Sequence, residues 1–128
     1  MKRNSAAQEK LPLPLSEEAF ELIAARFRIL SEPMRLKILH ALSAGEMTVG
    51  ELVLKTGAGQ ANISRHLGIL LEAGIVARRK DGLCAYYGIV DRSVFELCET
   101  TCLGLGQHFA DRHKAVRVFA SRHRKESV

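Results

Sequence analysis

Apolar residues recur along most of the chain at helical spacing, interrupted once by a glycine-centred hairpin signal, and this order predicts five helices and one β-hairpin. Ser16 is placed to cap a first helix. Glu17 and Glu18 suit its N-terminal dipole, and Ala19, Phe20, Ile23, Ala24 and Phe27 give it an apolar face. Ser31-Glu32-Pro33 breaks and restarts the chain, proline being tolerated in a first helical turn, and Met34, Ile38, Leu39 and Leu42 stripe a second helix that Gly45 ends. Thr48 followed three residues later by Glu51 has capping-box spacing, so a short third helix begins there and runs to Gly57. Only Gly57-Ala58-Gly59 separates it from a fourth helix, in which Ile63, Leu67, Leu70 and Leu71 form the buried stripe. The opposite face carries Ala61, Asn62, Ser64, Arg65 and Gly68. It is small and polar, able to lie close against a DNA major groove while offering amide, hydroxyl and guanidinium groups. Two helices joined so tightly read as a helix-turn-helix unit, the plainer reading being a packing corner of the kind common in all-α proteins.

After Gly74, Ile75-Val-Ala-Arg-Arg-Lys80 and Leu83-Cys-Ala-Tyr-Tyr-Gly-Ile89 flank Asp81-Gly82, a favoured two-residue hairpin turn, and so predict a β-wing. Arg78, Arg79 and Lys80 approach its tip, in position to meet phosphates beside a groove filled by the fourth helix. The plainer reading of these charges is a solvated edge strand. Asp91 starts a last helix expected to reach about Ala120, with Val94, Leu97, Cys98, Thr101, Leu105, Phe109, Val116 and Phe119 near one face and Gly104 and Gly106 interrupting it. The apolar faces of the first and last helices exceed what a small core needs, which points to a homodimer with two-fold symmetry. Residues 1–15, with Leu-Pro-Leu-Pro-Leu at 11–15, read as a flexible arm. Residues 16–120 form one DNA-binding and dimerisation domain, and 121–128 a basic tail. Six Lys or Arg and no acidic residue lie between Arg112 and Lys125.

Composition narrows the partner. The 128 residues carry a formal charge of +5 and a pI near 9.4, which favours a polyanion. With no Trp and few aromatic residues, base stacking on aromatic platforms is poorly supported, so duplex DNA ranks above single strands. No apolar run has the length of a membrane span and the N-terminus lacks a signal-peptide core, so a cytoplasmic protein without a membrane partner is expected. Three cysteines do not read as a disulfide framework. No nucleophile, base and oxyanion-donor grouping, phosphate loop or metalloprotease motif is present, so an enzyme is not expected.

The whole reads as mainly α with a small β-hairpin, in the order α-α-α-α-β-β-α of a winged helix-turn-helix. It resembles the ArsR/SmtB family of dimeric winged-helix repressors over about residues 17–110. Leu30-Ser-Glu-Pro-Met-Arg-Leu-Lys-Ile-Leu39 is similar to the family's second-helix signature, Gly59-Gln-Ala-Asn-Ile-Ser-Arg-His-Leu67 to its recognition helix, and Asp81-Gly82 with Tyr86-Tyr87 to its wing. The resemblance implies that Gln60, Ala61, Asn62, Ser64 and Arg65 face double-stranded operator DNA, whereas His66 lies toward the buried flank.

It also implies release from DNA by an inducer, often a metal or metalloid, although the family's best-known sites are missing. Glu51-Leu52-Val53-Leu54 stands where a thiol pair would be. Asp91 is followed by Ser93, with Gly104 and Gln107 at the later positions of the last-helix zinc site. Asp111, His113, His123 and Glu126 imitate that site's composition but lie about twenty residues late with altered spacing. Cys98 and Cys102 remain, spaced i, i+4 on the last helix and thus on neighbouring turns of one face. As thiolates they could share As(III) or another thiophilic metal ion acting as inducer; the other reading is two small buried hydrophobes at a helix interface. Persulfide or redox chemistry, an effector-independent regulator and a winged helix serving protein assembly are the alternatives. Cys84, five strand residues before Ile89 and so roughly 16 Å away, is not expected to reach Cys98 of its own subunit.

Overall fold

The computed structural model describes residues 15–108. The N-terminal arm, the basic tail, the continuation of the last helix to Ala120 and the residues Asp111, His113, His123 and Glu126 lie outside the described residues, apart from Leu15.

Helix α1 (Glu17–Leu30) begins where Ser16 Oγ accepts from the Ala19 amide at 3.1 Å. Helix α2 (Pro33–Leu42) follows, its first turn capped by Glu32, whose carboxylate accepts from the Met34 amide at 2.9 Å. Helix α3 (Val49–Thr56) carries the full capping box. Thr48 Oγ1 accepts from the Glu51 amide at 3.2 Å while Glu51 Oε1 accepts from the Thr48 amide at 2.9 Å. Gly57 ends α3 at φ 77°, a left-handed conformation that a Cβ would disfavour, and this cap turns the chain into α4 (Gln60–Glu72).

The wing consists of β1 (Val76–Asp81) and β2 (Cys84–Ile89), paired antiparallel with Val76 opposite Ile89 and Asp81 opposite Cys84. Its turn therefore lies on Gly82-Leu83, one residue later than Asp81-Gly82. Gly82 has φ 63°, and among the described residues none but glycines have positive φ. Positive φ at the first central position alone is the pattern of a type II′ turn, which asks for glycine there; the Asp-Gly turn of type I′ would need it at both. Met47, just before α3, pairs with Tyr87 in both directions, at 3.0 and 2.8 Å, and so ties the far edge of the wing to the helical body. Helix α5 (Ser93–His108) runs through Gly104.

One core joins the middle elements. Ile38, Leu39 and Leu42 of α2, Leu52 of α3, Ile63, Leu67 and Leu70 of α4, and Ile75, Val76, Tyr87 and Val94 are all buried together. Helix α1 contributes little to it: Leu30 alone is buried, and the expected apolar face is open, with Phe20 53% and Phe27 52% exposed. Leu30 and Ile29 pack its end against the core, and polar bonds fasten its middle. Arg26 donates to Asp91 Oδ2 at 3.1 Å and to the Ala73 carbonyl at 3.0 Å, stapling α1 to the end of α4 and to the entry of α5. Asp91 also accepts from the Ser93 amide and hydroxyl, and these bonds, with the nearby Arg26, hold its carboxyl below the usual range.

Candidate nucleic-acid interface

The face of α4 follows from its stripe. Ile63, His66, Leu67 and Leu70 are buried, so the helix can turn only one side outward. Gln60, Ala61, Ser64, Arg65 and Gly68 are exposed and Asn62 is half-buried. No acidic residue occurs between Gln60 and Leu71. Arg65 is not loose: its Nη2 donates to Asn62 Oδ1 at 2.7 Å, an i, i+3 contact along the outer face. His66 takes the inner side, where it is 3% exposed. No side chain caps α4 at Gly59, leaving the amides of the first turn open to an anion.

On the wing the three cations divide by strand alternation. Arg79 lies opposite Tyr86, with its guanidinium 4.9 Å from the ring centroid. It is clamped by Glu46, Nη2 to Oε1 at 2.9 Å and Nε to both carboxylate oxygens at 3.2 and 3.3 Å, with Asp81 at 3.7 Å. The clamp keeps the Glu46 carboxyl below and the Arg79 guanidinium above their ordinary values, chiefly through that hydrogen bond. Arg78 and Lys80 are exposed, and no ion pair forms at either among the described residues. The structure thus brings together Gln60, Ala61, Asn62, Ser64 and Arg65 on one helix face, while Arg78 and Lys80 differ from Arg79 in having no internal anion. Leu83, at the turn, is fully exposed.

The model of bacterial regulatory proteins of the arsR family matches residues 32–78, from the cap of α2 into β1. The uncharacterized HTH-type transcriptional regulator Rv0081 of Mycobacterium tuberculosis is 36% identical over 98 residues, which span 76% of this chain and 86% of that one. Its crystal structure aligns with a TM-score of 0.68, covering 76% of this chain and 98% of the solved one. The chain belongs to the ArsR family. It is further similar to the biofilm growth-associated repressor of Agrobacterium fabrum, 34% identical over 90 residues (70% of this chain, 77% of that one). The probable mercury resistance operon repressor of Streptomyces lividans is 39% identical over 71 residues (56% and 57%).

In this ArsR-family regulator the winged helix-turn-helix is complete, and the family assignment points to DNA binding, not to an enzyme. The cysteines are arranged less decisively. Cys98 and Cys102 are half-buried on α5, whereas Cys84 is exposed beside the wing turn. Burial pushes the Cys98 thiol up; burial and then the neighbouring Cys98 do the same at Cys102. Both are protonated at neutral pH, so a soft ion must displace their protons to bind. No group of three or more His, Cys, Asp or Glu able to hold a metal occurs among the described residues. Cys98 lines a groove of about 960 Å³ between α2, the end of α3 and α5, together with Leu39, His40, Lys55, Val94 and Phe95. No described helix is long and apolar enough to cross a membrane.

Three features had no sequence signal: the Arg26 staple, the Glu46 clamp on Arg79, and a contact of His66 with two arginines. Each joins residues far apart in the chain or sets a charge against a ring, and hydrophobic periodicity is blind to both.

Proposed function

We propose that the protein is a homodimeric transcriptional repressor that reads operator DNA with the outer face of α4. Gln60, Ala61, Asn62, Ser64 and Arg65 enter the major groove while Arg78, Arg79 and Lys80 of the wing meet flanking phosphates. The observation that carries this reading is the small, polar face of α4, free of acidic residues from Gln60 to Leu71 and held outward by the buried Ile63, His66, Leu67 and Leu70. Its shape admits close approach and its donors and acceptors suit base edges. Dimerisation is supported by the uncovered face of α1, where Phe20, Leu22, Ile23 and Phe27 are exposed. A two-fold dimer sets two recognition helices for successive major grooves, about 34 Å apart. The inducer half of the proposal is a thiophilic metalloid or metal, such as arsenite, at Cys98 and Cys102, in keeping with the relative named as a mercury resistance repressor. Ligation on α5 would change the dimer geometry and weaken DNA binding by a coupling of about 1–3 kcal/mol.

The test is enrichment of binding sites from a random-sequence duplex library, followed by titration of the selected duplex at several salt concentrations. A pseudo-palindromic site with steep salt dependence supports the proposal; no enrichment, or weak salt dependence, refutes it. Arsenite, Zn(II), Cd(II) and a persulfide donor are then added to the complex of wild type and of a Cys98→Ser, Cys102→Ser double variant. Equal response of both proteins to every agent removes the thiol site.

A further inference from the structure

Both ring nitrogens of buried His66 are addressed by guanidinium groups. Arg35 Nη1 of α2 lies 3.3 Å from Nδ1, and Arg65 Nη2 lies 3.3 Å from Nε2. A guanidinium only donates, a neutral imidazole has one acceptor nitrogen, and an imidazolium has none. His66 can therefore bond one of the two arginines, never both.

The two arginines differ in what else fixes them. Arg35 Nε donates to the Ile29 carbonyl at 2.7 Å, which anchors it whatever the ring does. Arg65 is exposed, and apart from the ring its one bond is to Asn62 Oδ1 among the described residues. An N–H at Nε2 would push this freer side chain toward water. Its resting place beside Nε2 assigns the acceptor to Nε2 and the proton to Nδ1. Nη2 of Arg65 is then held by two acceptors, Asn62 and His66. Its Nη1 and Nε have no protein partner among the described residues and remain for single hydrogen bonds to a base edge or a phosphate, since either fork of the guanidinium would need Nη2.

We propose that His66, itself buried, is a positioning residue for DNA reading: in its neutral Nδ1–H form it accepts from Arg65 at Nε2 and fixes that guanidinium for the groove. This rests on the DNA-reading role proposed above and names a residue that acts through Arg65 without touching DNA. Protonation removes the acceptor and places a third positive charge beside two guanidinium groups. The charged groups facing the ring are Arg65 on its own helix and Arg35 from α2, with Glu32 at the start of α2 as the opposing acid. Burial first, then Arg65 and Arg35, hold the imidazole below its ordinary value, so the neutral form prevails at neutral pH. Acid ordinarily strengthens DNA binding by adding positive charge; through His66 it weakens it.

The experiment follows His66 ring nitrogens by NMR in the free dimer while pH is lowered from about 7.5, a value above the ordinary histidine range. Affinity for a duplex selected by this protein is measured over the same range at constant salt. The expected results are an unprotonated Nε2 above the ring's own midpoint and a loss of affinity across that midpoint of roughly tenfold per subunit, and so up to about a hundredfold for the dimer, the scale of one hydrogen bond to a charged group in each half. His66→Gln, whose amide oxygen reaches the Nε2 end and cannot titrate, retains affinity in acid. His66→Asn, whose shorter amide serves only the Arg35 end, starts at the reduced affinity and stays there, with melting curves confirming that both variants fold. In an Arg65→Ala background the loss disappears. An Nε2-protonated neutral ring, affinity that is constant or rises across the His66 midpoint, or a loss that persists without Arg65 overturns the proposal. Failure of the wild type to select any duplex bears on the DNA-reading role instead, while the tautomer in the free protein still decides the hydrogen-bond assignment.

Discussion

Replacing Glu46 with alanine tests how the wing distributes its charge. Among the described residues Arg79 is the one wing cation with an internal anion, bonded through two nitrogens to Glu46 at 2.9 to 3.3 Å. The side chains are 53% and 45% exposed, so the pair is screened by water and its loss should barely change the melting temperature. The effect on DNA is different in kind. Removing the carboxylate deletes a negative charge beside the proposed phosphate track and leaves one guanidinium per wing with the longer, exposed Asp81 contact at 3.7 Å. Each added phosphate contact steepens the slope of log K against log salt by about 0.9, so a dimer gains about 1.8. The assay is fluorescence anisotropy on the selected duplex across a salt series, for wild type, Glu46→Ala and the Glu46→Ala, Arg79→Ala double variant. The double variant should return the slope to that of wild type or below. An unchanged slope in Glu46→Ala, with an unchanged fold, would show that Arg79 does not approach the backbone even without Glu46.

Other outcomes follow from the core, the turn and the open helix face. Leu67→Ala, at a site 1% exposed, should cost about 2–5 kcal/mol in denaturant unfolding, because the lost burial is compounded by a cavity. Gly57→Ala should cost about 1 kcal/mol, since its φ of 77° places a Cβ in the left-handed region; no loss in a thermal melt would mean the turn relaxes. Because His66 is held below its ordinary value when folded, the unfolded chain takes up its proton first as pH falls. The stability is full above the ordinary histidine value of about 6.5, declines as pH drops toward the lowered folded value, and levels off below it. Urea midpoints for wild type and His66→Gln should diverge in that window. Phe20→Glu with Phe27→Glu, both on the uncovered face of α1, should yield folded monomers by sedimentation, and an intact dimer would remove α1 from the interface.

Much of the architecture is legible in local chemistry because its signals are short-range. Ser16, Thr48 with Glu51, Pro33 and Gly57 each act within one turn of themselves, and every one marks a helix end in the structure. The buried stripe of α4 is legible for the same reason, and with it the outward set from Gln60 to Arg65. The wing turn was displaced by one residue because Asp81-Gly82 and Gly82-Leu83 offer the same glycine to two turn types, and only cross-strand pairing decides between them. The Phe20 and Phe27 face was visible as apolar, but no pattern says whether a helix buries such a face in its own core or against another chain. The Glu46 clamp and the His66 contacts with Arg35 and Arg65 span 33, 31 and 1 positions respectively. Long-range pairs have no periodic trace, and the adjacent pair is hidden because neighbouring residues on a helix ordinarily face apart.

The central claim is that the outer face of α4, flanked by the wing, is the surface that meets duplex DNA. Chemical-shift mapping of the labelled dimer against its selected duplex tests it most directly. The account predicts that the largest backbone and side-chain changes fall on Gln60, Ala61, Asn62, Ser64 and Arg65, with a second group at Arg78 to Lys80. Saturable changes confined to α1 or α5, leaving α4 unmoved, would contradict it.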